Sequence, residues 1–259
     1  MNNYRLVISA ASIVVALSMA DCLCEETKAV EDSDKSVVII SSDNNNNNVI
    51  TATDGHSSKL TEKDYLEVAE ELGVEVAAIK AIVDIEAGRA HEGFFQPGKP
   101  IINFDLKMYH KFAKKHGVSI SAAKKKAPVI FAHPNISHYG SYQAAQYARL
   151  DAARNINETS ALESAFWGMF QIGGFNWKIC DCDSVGQFVE IMSQSERAQL
   201  ELFARLIKKC GMLEYLQKKQ WLKFALRYNG PKAKARKYHT RIAAAYARHK
   251  AAEQQNDDK

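Results

Sequence analysis

The chain of 259 residues is long enough for one large domain and a tail, and its 46% hydrophobic and 25% charged residues are typical of a globular protein. Only five prolines and thirteen glycines argue against a turn-rich β-sandwich, while long Ala/Glu/Lys/Leu-rich stretches favour helices. The formal net charge is +4, and the basic residues are concentrated towards the C-terminus. We therefore predict a mainly α protein.

The N-terminal residues 1–20 are predicted to be an export signal rather than part of the fold. Arg5 supplies a short positive region, Leu6–Leu17 form an apolar run, and Ser18–Ala20 provide a cleavage site with small residues at both ends. The apolar run is too short for a comfortable transmembrane helix. We therefore expect a signal peptide, no stable membrane span, and export to the periplasm or the cell exterior.

Residues 21–58 are polar and acidic, include the run Asn44–Asn48, and cannot bury enough apolar surface to fold. We predict that they form a disordered linker between the signal and the domain. A lipid anchor on Cys22 or Cys24 is the alternative to release. It is disfavoured because the residues before these cysteines are poor neighbours for an acylated cysteine.

The folded domain is predicted over residues 59–250, and its first helix begins after Thr61, an N-cap with Asp64 three residues later. Gly73 ends that helix, and a second helix is expected from about Val74 to Ile85. A short β-hairpin is expected between Phe94 and Phe104, and a disordered tail over residues 251–259. The remaining predicted helices are Asp105–Lys115, Tyr139–Arg154, Ser160–Phe166, Gln187–Lys209, Trp221–Arg227 and Tyr238–His249.

Glu86 falls on the apolar face of the second helix. It follows Ile82 and Val83 by one helical turn and Ile79 by two, whereas Asp84 points elsewhere. A carboxylate on a buried stripe is unfavourable unless it is paired or protonated. Burial raises its pKa towards the range that a general acid needs at neutral pH. A solvated glutamate at a frayed helix end is the alternative interpretation.

The segment 205–250 contains fourteen lysines and arginines and a single acid, Glu214. Such a patch attracts a polyanion, unless it is merely a solvated face. For an exported protein, the carboxylates of the cell wall are a nearer partner than nucleic acid. We therefore expect binding to peptidoglycan and not to nucleic acid.

Three of the five cysteines, Cys180, Cys182 and Cys210, lie in the domain. A disulfide from Cys180 or Cys182 to Cys210 and a set of buried free thiols are both compatible with the spacing. Neither the cysteines nor the histidines have the spacing of a zinc site. We therefore predict no metal and no cofactor.

Three segments occur in an order that goes beyond generic helix: Ile82–Glu86 (Ile-Val-Asp-Ile-Glu), Ser164–Asn176 (containing Trp-Gly-Met-Phe-Gln-Ile) and Arg227–Pro231 (Arg-Tyr-Asn-Gly-Pro). Together with the intervening Ser137–Gln143, they resemble the N-acetylmuramidase domain of phage endolysins and secreted bacterial muramidases, within the lysozyme-like superfamily. The resemblance runs from about residue 60 to residue 248 and omits the N-terminal tail.

The resemblance implies a lysozyme-like helical domain that cleaves peptidoglycan between N-acetylmuramic acid and N-acetylglucosamine. It makes Glu86 the general acid and places Asp105, as a second catalytic residue, where the family has a longer glutamate. The substrate-binding residues that it implies are Trp167, Phe170, Gln171, Tyr228 and Asn229, the first two as faces for sugar stacking.

The second catalytic group stays open at this stage, with Asp105, Glu92 and Glu163 as the candidate carboxylates. A positioned water could replace a carboxylate, and attack by the sugar's own 6-hydroxyl would make the enzyme a lytic transglycosylase. A non-catalytic module that binds the wall through the basic C-terminal face is the alternative outside enzymes. We expect a monomer, and an immunity protein encoded elsewhere is compatible with this reading, as are wall remodelling and scavenging.

Overall fold

The computed structural model describes residues 59–87, 92–134 and 139–257. The predicted signal peptide, the linker, Cys22 and Cys24 lie outside these ranges. The described chain is mostly helical with short antiparallel strands, which confirms the predicted fold class. Within it, no helix is both long enough and apolar enough to cross a membrane.

Helices carry most of the fold, and the strands are short. The helices are α1 (Glu62–Leu72), α2 (Val76–Glu86), α3 (Leu106–Lys115), α4 (Ile120–Lys126), α5 (Tyr139–Arg154), α6 (Glu158–Glu163), α7 (Val185–Met192), α8 (Glu196–Lys209), α9 (Leu213–Gln217), α10 (Trp221–Asn229) and α11 (Tyr238–Asp257). The strands are β1 (Phe94–Gln96), β2 (Lys99–Pro100), β3 (Ile102–Phe104), β4 (Ala165–Trp167) and β5 (Ile172–Gly173).

The start of the domain follows the sequence prediction closely. The Thr61 side chain accepts a hydrogen bond from the backbone N–H of Asp64, and the Asp64 carboxylate accepts one from the Thr61 N–H at 2.7 Å. This capping box satisfies N–H groups that the first turn of a helix leaves without intrahelical partners. Gly73 ends α1 as predicted.

A hairpin and a three-stranded sheet lie among the helices. β1 pairs antiparallel with β2, which forms the expected hairpin but ends it at Pro100. β3 pairs instead with β4, which is distant in sequence, so that Asn103 lies opposite Phe166, and β5 completes the sheet. The Trp-Gly-Met-Phe-Gln segment is therefore the connection between two strands.

Two glutamines of α5 cover the outer edge of this sheet. The Gln143 amide accepts a hydrogen bond from the Ile102 N–H at 2.9 Å and donates one to the Ile102 carbonyl at 3.1 Å. Gln146 accepts one from the Phe104 N–H at 3.0 Å. These amides take the place of a further strand, because an uncovered sheet edge leaves backbone groups unpaired.

Two predicted helices are divided differently in the structure. The predicted Gln187–Lys209 helix is two helices, because Ser195 caps a new one by accepting a hydrogen bond from the Ala198 N–H. The predicted helix from Ser160 ends at Glu163, and the chain then enters β4. Every residue from 160 to 170 is buried, so the run shows neither the helical nor the strand period that would separate α6 from β4.

The C-terminal helix corrects the predicted tail. α11 continues past His249 to Asp257, so residues 251–257 are helical, and only 258–259 lie outside the described chain. α11 packs along α2, and Asp84 accepts a hydrogen bond from Nε2 of His249 at 2.8 Å in a partly buried contact. Cys180 and Cys182 are buried free thiols, and Cys210 is partly buried.

Candidate active site

Glu86 is the last residue of α2, and its side chain is buried beside the apolar stripe that includes Ile79, Ile82 and Val83. The residue is only 7% exposed. Desolvation raises the pKa of Glu86 to about 7, although a hydrogen bond from Asn229 and the positive charge of Arg241 favour the carboxylate. The C-terminal end of a helix also disfavours a negative charge. Burial therefore favours the protonated form of the Glu86 carboxyl up to about neutral pH.

Asn229 faces Glu86 from the end of α10. Its amide Nδ2 donates a hydrogen bond to Oε1 of Glu86 at 3.0 Å. Its amide oxygen is buried and, within the described residues, accepts no hydrogen bond. A buried acceptor without a donor is unfavourable, so this oxygen is available to a water or to an N–H of a bound sugar.

Tyr228 supports Asn229 from behind instead of facing a substrate. The ring is fully buried, and its hydroxyl donates a hydrogen bond to the Phe170 carbonyl at 2.7 Å. Phe203 of α8 meets the ring edge-on at 5.4 Å, and Phe224 stacks on it at 5.7 Å. Tyr228 thus ties α10 to the connection between β4 and β5.

The structure corrects the expectation that Trp167 and Phe170 offer faces for sugar stacking. Trp167 is 2% exposed, and its indole N–H donates to the Leu162 carbonyl at 3.2 Å. Phe170 is 1% exposed and stacks on Phe203 at 4.2 Å. Both rings pack in the core, because strand pairing turns this segment inwards. They hold the site's wall in place.

Gln171 is the member of this motif that reaches the surface. It is partly exposed, and its backbone adopts the left-handed conformation with φ 49°. Its side-chain amide donates a hydrogen bond to the Gly168 carbonyl at 2.9 Å. Left-handed backbone is unfavourable for a side chain other than glycine and is concentrated at functional sites.

Asp105 caps α3. Its carboxylate accepts a hydrogen bond from the Met108 N–H at 2.8 Å, the contact of a helix N-cap. Along the sheet, Asp105 lies beside Ser164, whereas Ile101 lies beside Gly168. The four-residue step between these points spans about 13 Å of strand. Asp105 is thus at the opposite end of β3 from the connection that supports Tyr228.

The other two candidate carboxylates have different surroundings. Glu163 is 3% exposed and is hydrogen bonded to His116 at 2.8 Å, with Lys115 and Trp177 also in contact. Glu92 is exposed at the end of the segment that follows Glu86. Among the described residues, the groups that perturb Glu86 are Asn229 and Arg241, and no second carboxylate is one of them.

The basic C-terminal segment is partly neutralised in the fold. Lys208, Lys209, Lys218, Lys219, Arg248 and Lys250 each form an ion pair with a carboxylate. Four cations between Asn229 and α11 form no ion pair with any residue in the described ranges, and we name them the basic ridge: Lys232, Lys234, Arg236 and Lys237. The ridge leads to Arg241, whose guanidinium lies over the Tyr238 ring at 5.4 Å and attracts the Glu86 carboxylate.

Sequence reasoning counted Arg241 among the basic residues but did not connect it with Glu86. The attraction between Arg241 and Glu86 depends on how α11 packs against α2, and no local sequence pattern encodes that packing. In the described chain, no group of three or more histidine, cysteine, aspartate or glutamate side chains is arranged to hold a metal ion.

The chain is similar to a described protein family and to a solved structure. The model of a family described as Muramidase, N-acetylmuramidase, matches residues 75–250. The crystal structure of the Burkholderia AP3 phage endolysin is similar, with a TM-score of 0.63 and 34% sequence identity over 75% of this chain and 72% of that chain. No curated protein matched. The matched range of the family includes Glu86, Gln171, Tyr228 and Asn229.

Proposed function

The chain belongs to the N-acetylmuramidase family, and from that premise we propose that it cleaves the bond between N-acetylmuramic acid and N-acetylglucosamine with Glu86 as general acid. Family membership makes it a glycoside hydrolase of the muramidase type that acts on peptidoglycan. The observation that carries the assignment of Glu86 is its burial beside Asn229, with a pKa raised to about 7.

Glycoside cleavage needs a protonated carboxyl to donate to the departing oxygen, and Glu86 holds such a proton near neutral pH. Once the proton has left, the Asn229 amide N–H stabilises the resulting carboxylate. The amide oxygen of Asn229 accepts no hydrogen bond from the described residues. We assign to it, and to the partly exposed Gln171, the task of positioning the attacking water or the N-acetyl N–H of the sugar.

The surroundings of the three candidate carboxylates favour a mechanism in which the second catalytic group is not a carboxylate. Asp105 is engaged as a helix cap, Glu163 is engaged with His116, and Glu92 is exposed. Mechanisms with two carboxylates place them about 5 to 10 Å apart, whereas no carboxylate of the described residues shifts the pKa of Glu86. A positioned water, or the substrate's own hydroxyl, is therefore the favoured nucleophile.

Substitution of Asp105 separates the two roles. Asparagine caps helices about as well as aspartate, so Asp105→Asn should keep the activity within about two-fold and the stability unchanged. Asp105→Ala should lower the free energy of unfolding by about 1 kcal/mol without a specific loss of kcat. Thermal unfolding and release of soluble wall fragments measure these outcomes. A hundred-fold loss of kcat in folded Asp105→Asn, about the contribution of one catalytic group, would instead make Asp105 the second catalytic carboxylate.

The basic ridge is consistent with a polyanionic substrate. Three of its four side chains are exposed, and the ridge begins directly after the Tyr-Asn-Gly segment that carries Asn229. The carboxylates of muramic acid and of the stem peptides would lie within reach of such charges when a glycan strand occupies the site. Their attraction acts over about 10 Å at moderate salt.

Two other functions lead to different products from the same substrate. A lytic transglycosylase would release fragments with 1,6-anhydro ends and create no new reducing ends. A non-catalytic wall-binding module would sediment with peptidoglycan and release nothing. Digestion of purified peptidoglycan followed by analysis of the fragment ends therefore tests the proposed function against both.

A further inference from the structure

One face of α8 carries three buried side chains that reach towards the site: Glu196, Gln199 and Phe203. Their spacing of three and four residues places them on the same side of the helix. Glu196 is 4% exposed, and the other two are fully buried. Two polar side chains on a buried helix face must be fully hydrogen bonded or they destabilise the fold.

Gln199 uses its whole amide to hold three backbone segments. Its oxygen accepts a hydrogen bond from the Met169 N–H at 2.9 Å. Its nitrogen donates to the carbonyls of Gly93 at 3.1 Å and Met192 at 3.0 Å. One side chain thus joins three backbone segments: Gly93, the end of α7 and the connection between β4 and β5.

Glu196 completes the grip on Gly93. Its carboxylate accepts hydrogen bonds from the Gly93 N–H at 2.9 Å and from the Leu60 N–H at 3.0 Å. Both backbone groups of Gly93 are therefore bound by side chains of one helix face. These contacts fix the backbone at Gly93, which follows Glu86 by seven residues in the sequence.

Two glycines make the approach of Gln199 possible. A Cβ atom at Gly93 or at Gly168 would lie 2.6 Å from the Gln199 amide oxygen. Moving the Gln199 amide away would break buried hydrogen bonds, because both its oxygen and its nitrogen are already bonded. The close approach of the amide therefore requires glycine, which has no Cβ, at both positions.

The same face of α8 supports the partner of the acid. Phe203 stacks on Phe170 at 4.2 Å and meets Tyr228 edge-on. Tyr228 in turn binds the Phe170 carbonyl, and the next residue, Asn229, donates to Glu86. The backbone that carries Asn229 is thus anchored to α8.

We infer that Gln199 is a positioning residue of the active site, which fixes two backbone segments, one at Gly93 and one at Met169. This inference rests on the proposed function of Glu86. Gln199 touches no substrate, so its effect reaches the chemistry only through the placement of those segments. Loosening them admits water to Glu86.

The test compares Gln199→Met with Gln146→Met as a matched control. Both glutamines are about 1% exposed or less, and both accept a hydrogen bond from a strand or loop N–H, but Gln146 serves the outer edge of β3. Thermal unfolding, kcat and the pH dependence of kcat/KM are measured on purified peptidoglycan. Both variants should lose comparable stability.

Only Gln199→Met should lose kcat, by about ten-fold or more, and only in it should the alkaline limb of the pH profile move to lower pH. The limb moves that way because entering water stabilises the Glu86 carboxylate. The groups that face Glu86, which both variants leave in place, are Asn229 and Tyr228 of α10 and Arg241 and Tyr238 of α11. Equal kcat values and equal pH profiles in the two folded variants would overturn the inference.

If Gln199→Met does not fold, Gly93→Ala provides the second test. Its added methyl would lie 2.6 Å from the Gln199 amide oxygen and 3.0 Å from Cγ of Glu196, so it disturbs the two side chains that hold Gly93. A folded Gly93→Ala protein should show the same loss of kcat and the same shift of the limb, and unchanged values would contradict the positioning role. Failure of the proposed function itself is recognised separately, because Glu86→Gln would then remain active.

Discussion

Glu86→Gln is expected to lower the release of soluble fragments from purified peptidoglycan by about a thousand-fold, since a positioned general acid contributes about that factor. Glutamine has the size of glutamate and can still accept the hydrogen bond from Asn229, but it has no proton to donate. The variant should therefore fold normally and bind the wall. Glu71→Gln is a suitable control, because that carboxylate lies on the surface and its ion pair in the described part of the chain is with Lys208.

The same variant should be more stable than the parent protein in alkaline solution. The pKa of Glu86 is raised from 4.5 to about 7 in the folded protein, so the unfolded chain releases this proton more readily and stability falls as pH rises through that window. Glutamine does not ionise. At pH 8, we expect the free energy of unfolding of Glu86→Gln to exceed that of the parent by up to about 3 kcal/mol, with a higher unfolding temperature. At pH 5, the two proteins should unfold at similar temperatures. Full lytic activity in the folded variant would remove Glu86 from the mechanism.

Asn229→Ala is expected to lower kcat by about a hundred-fold, the usual loss when one positioned hydrogen-bond donor is removed from a polar site. In the parent, kcat/KM should fall as pH rises through about 7, because the proton donor ionises. The Asn229 amide stabilises the ionised form of Glu86, so its removal should move this limb to higher pH.

Asn157→Ala is the control for Asn229→Ala. The Asn157 side chain caps α6 by accepting a hydrogen bond from the Ser160 N–H at 2.8 Å, so the substitution should reduce stability by about 1 kcal/mol. It should leave the pH profile in place. An unmoved limb in Asn229→Ala, or an equal displacement in both variants, would contradict direct contact between Asn229 and Glu86.

Local rules predicted the parts of the fold that depend on near neighbours. Thr61 and Asp64 form the expected capping box, and helical periodicity placed Glu86 on a buried face, as observed. The mainly α class with a hairpin after Glu86 followed from composition and turn residues. These features are set by contacts within one or two helical turns, which a single sequence records.

Features that join distant segments were not predictable in this way. Nothing near Phe104 indicates that its strand pairs with Ala165, and that pairing turns Trp167 and Phe170 into the core. Burial of an aromatic ring and its exposure in a cleft have the same sequence pattern. Gln199 appeared as one polar position on an amphipathic helix, because its three partners come from other elements.

The most direct test of the central claim is the chemistry of the ends that the enzyme creates. Purified peptidoglycan is digested, reduced with borohydride and hydrolysed, and the amino-sugar alcohols are quantified. Cleavage after N-acetylmuramic acid predicts muramicitol in proportion to the solubilised wall and none with Glu86→Gln. Glucosaminitol as the main product, 1,6-anhydro ends without new reducing ends, or equal yields from Glu86→Gln would contradict the account.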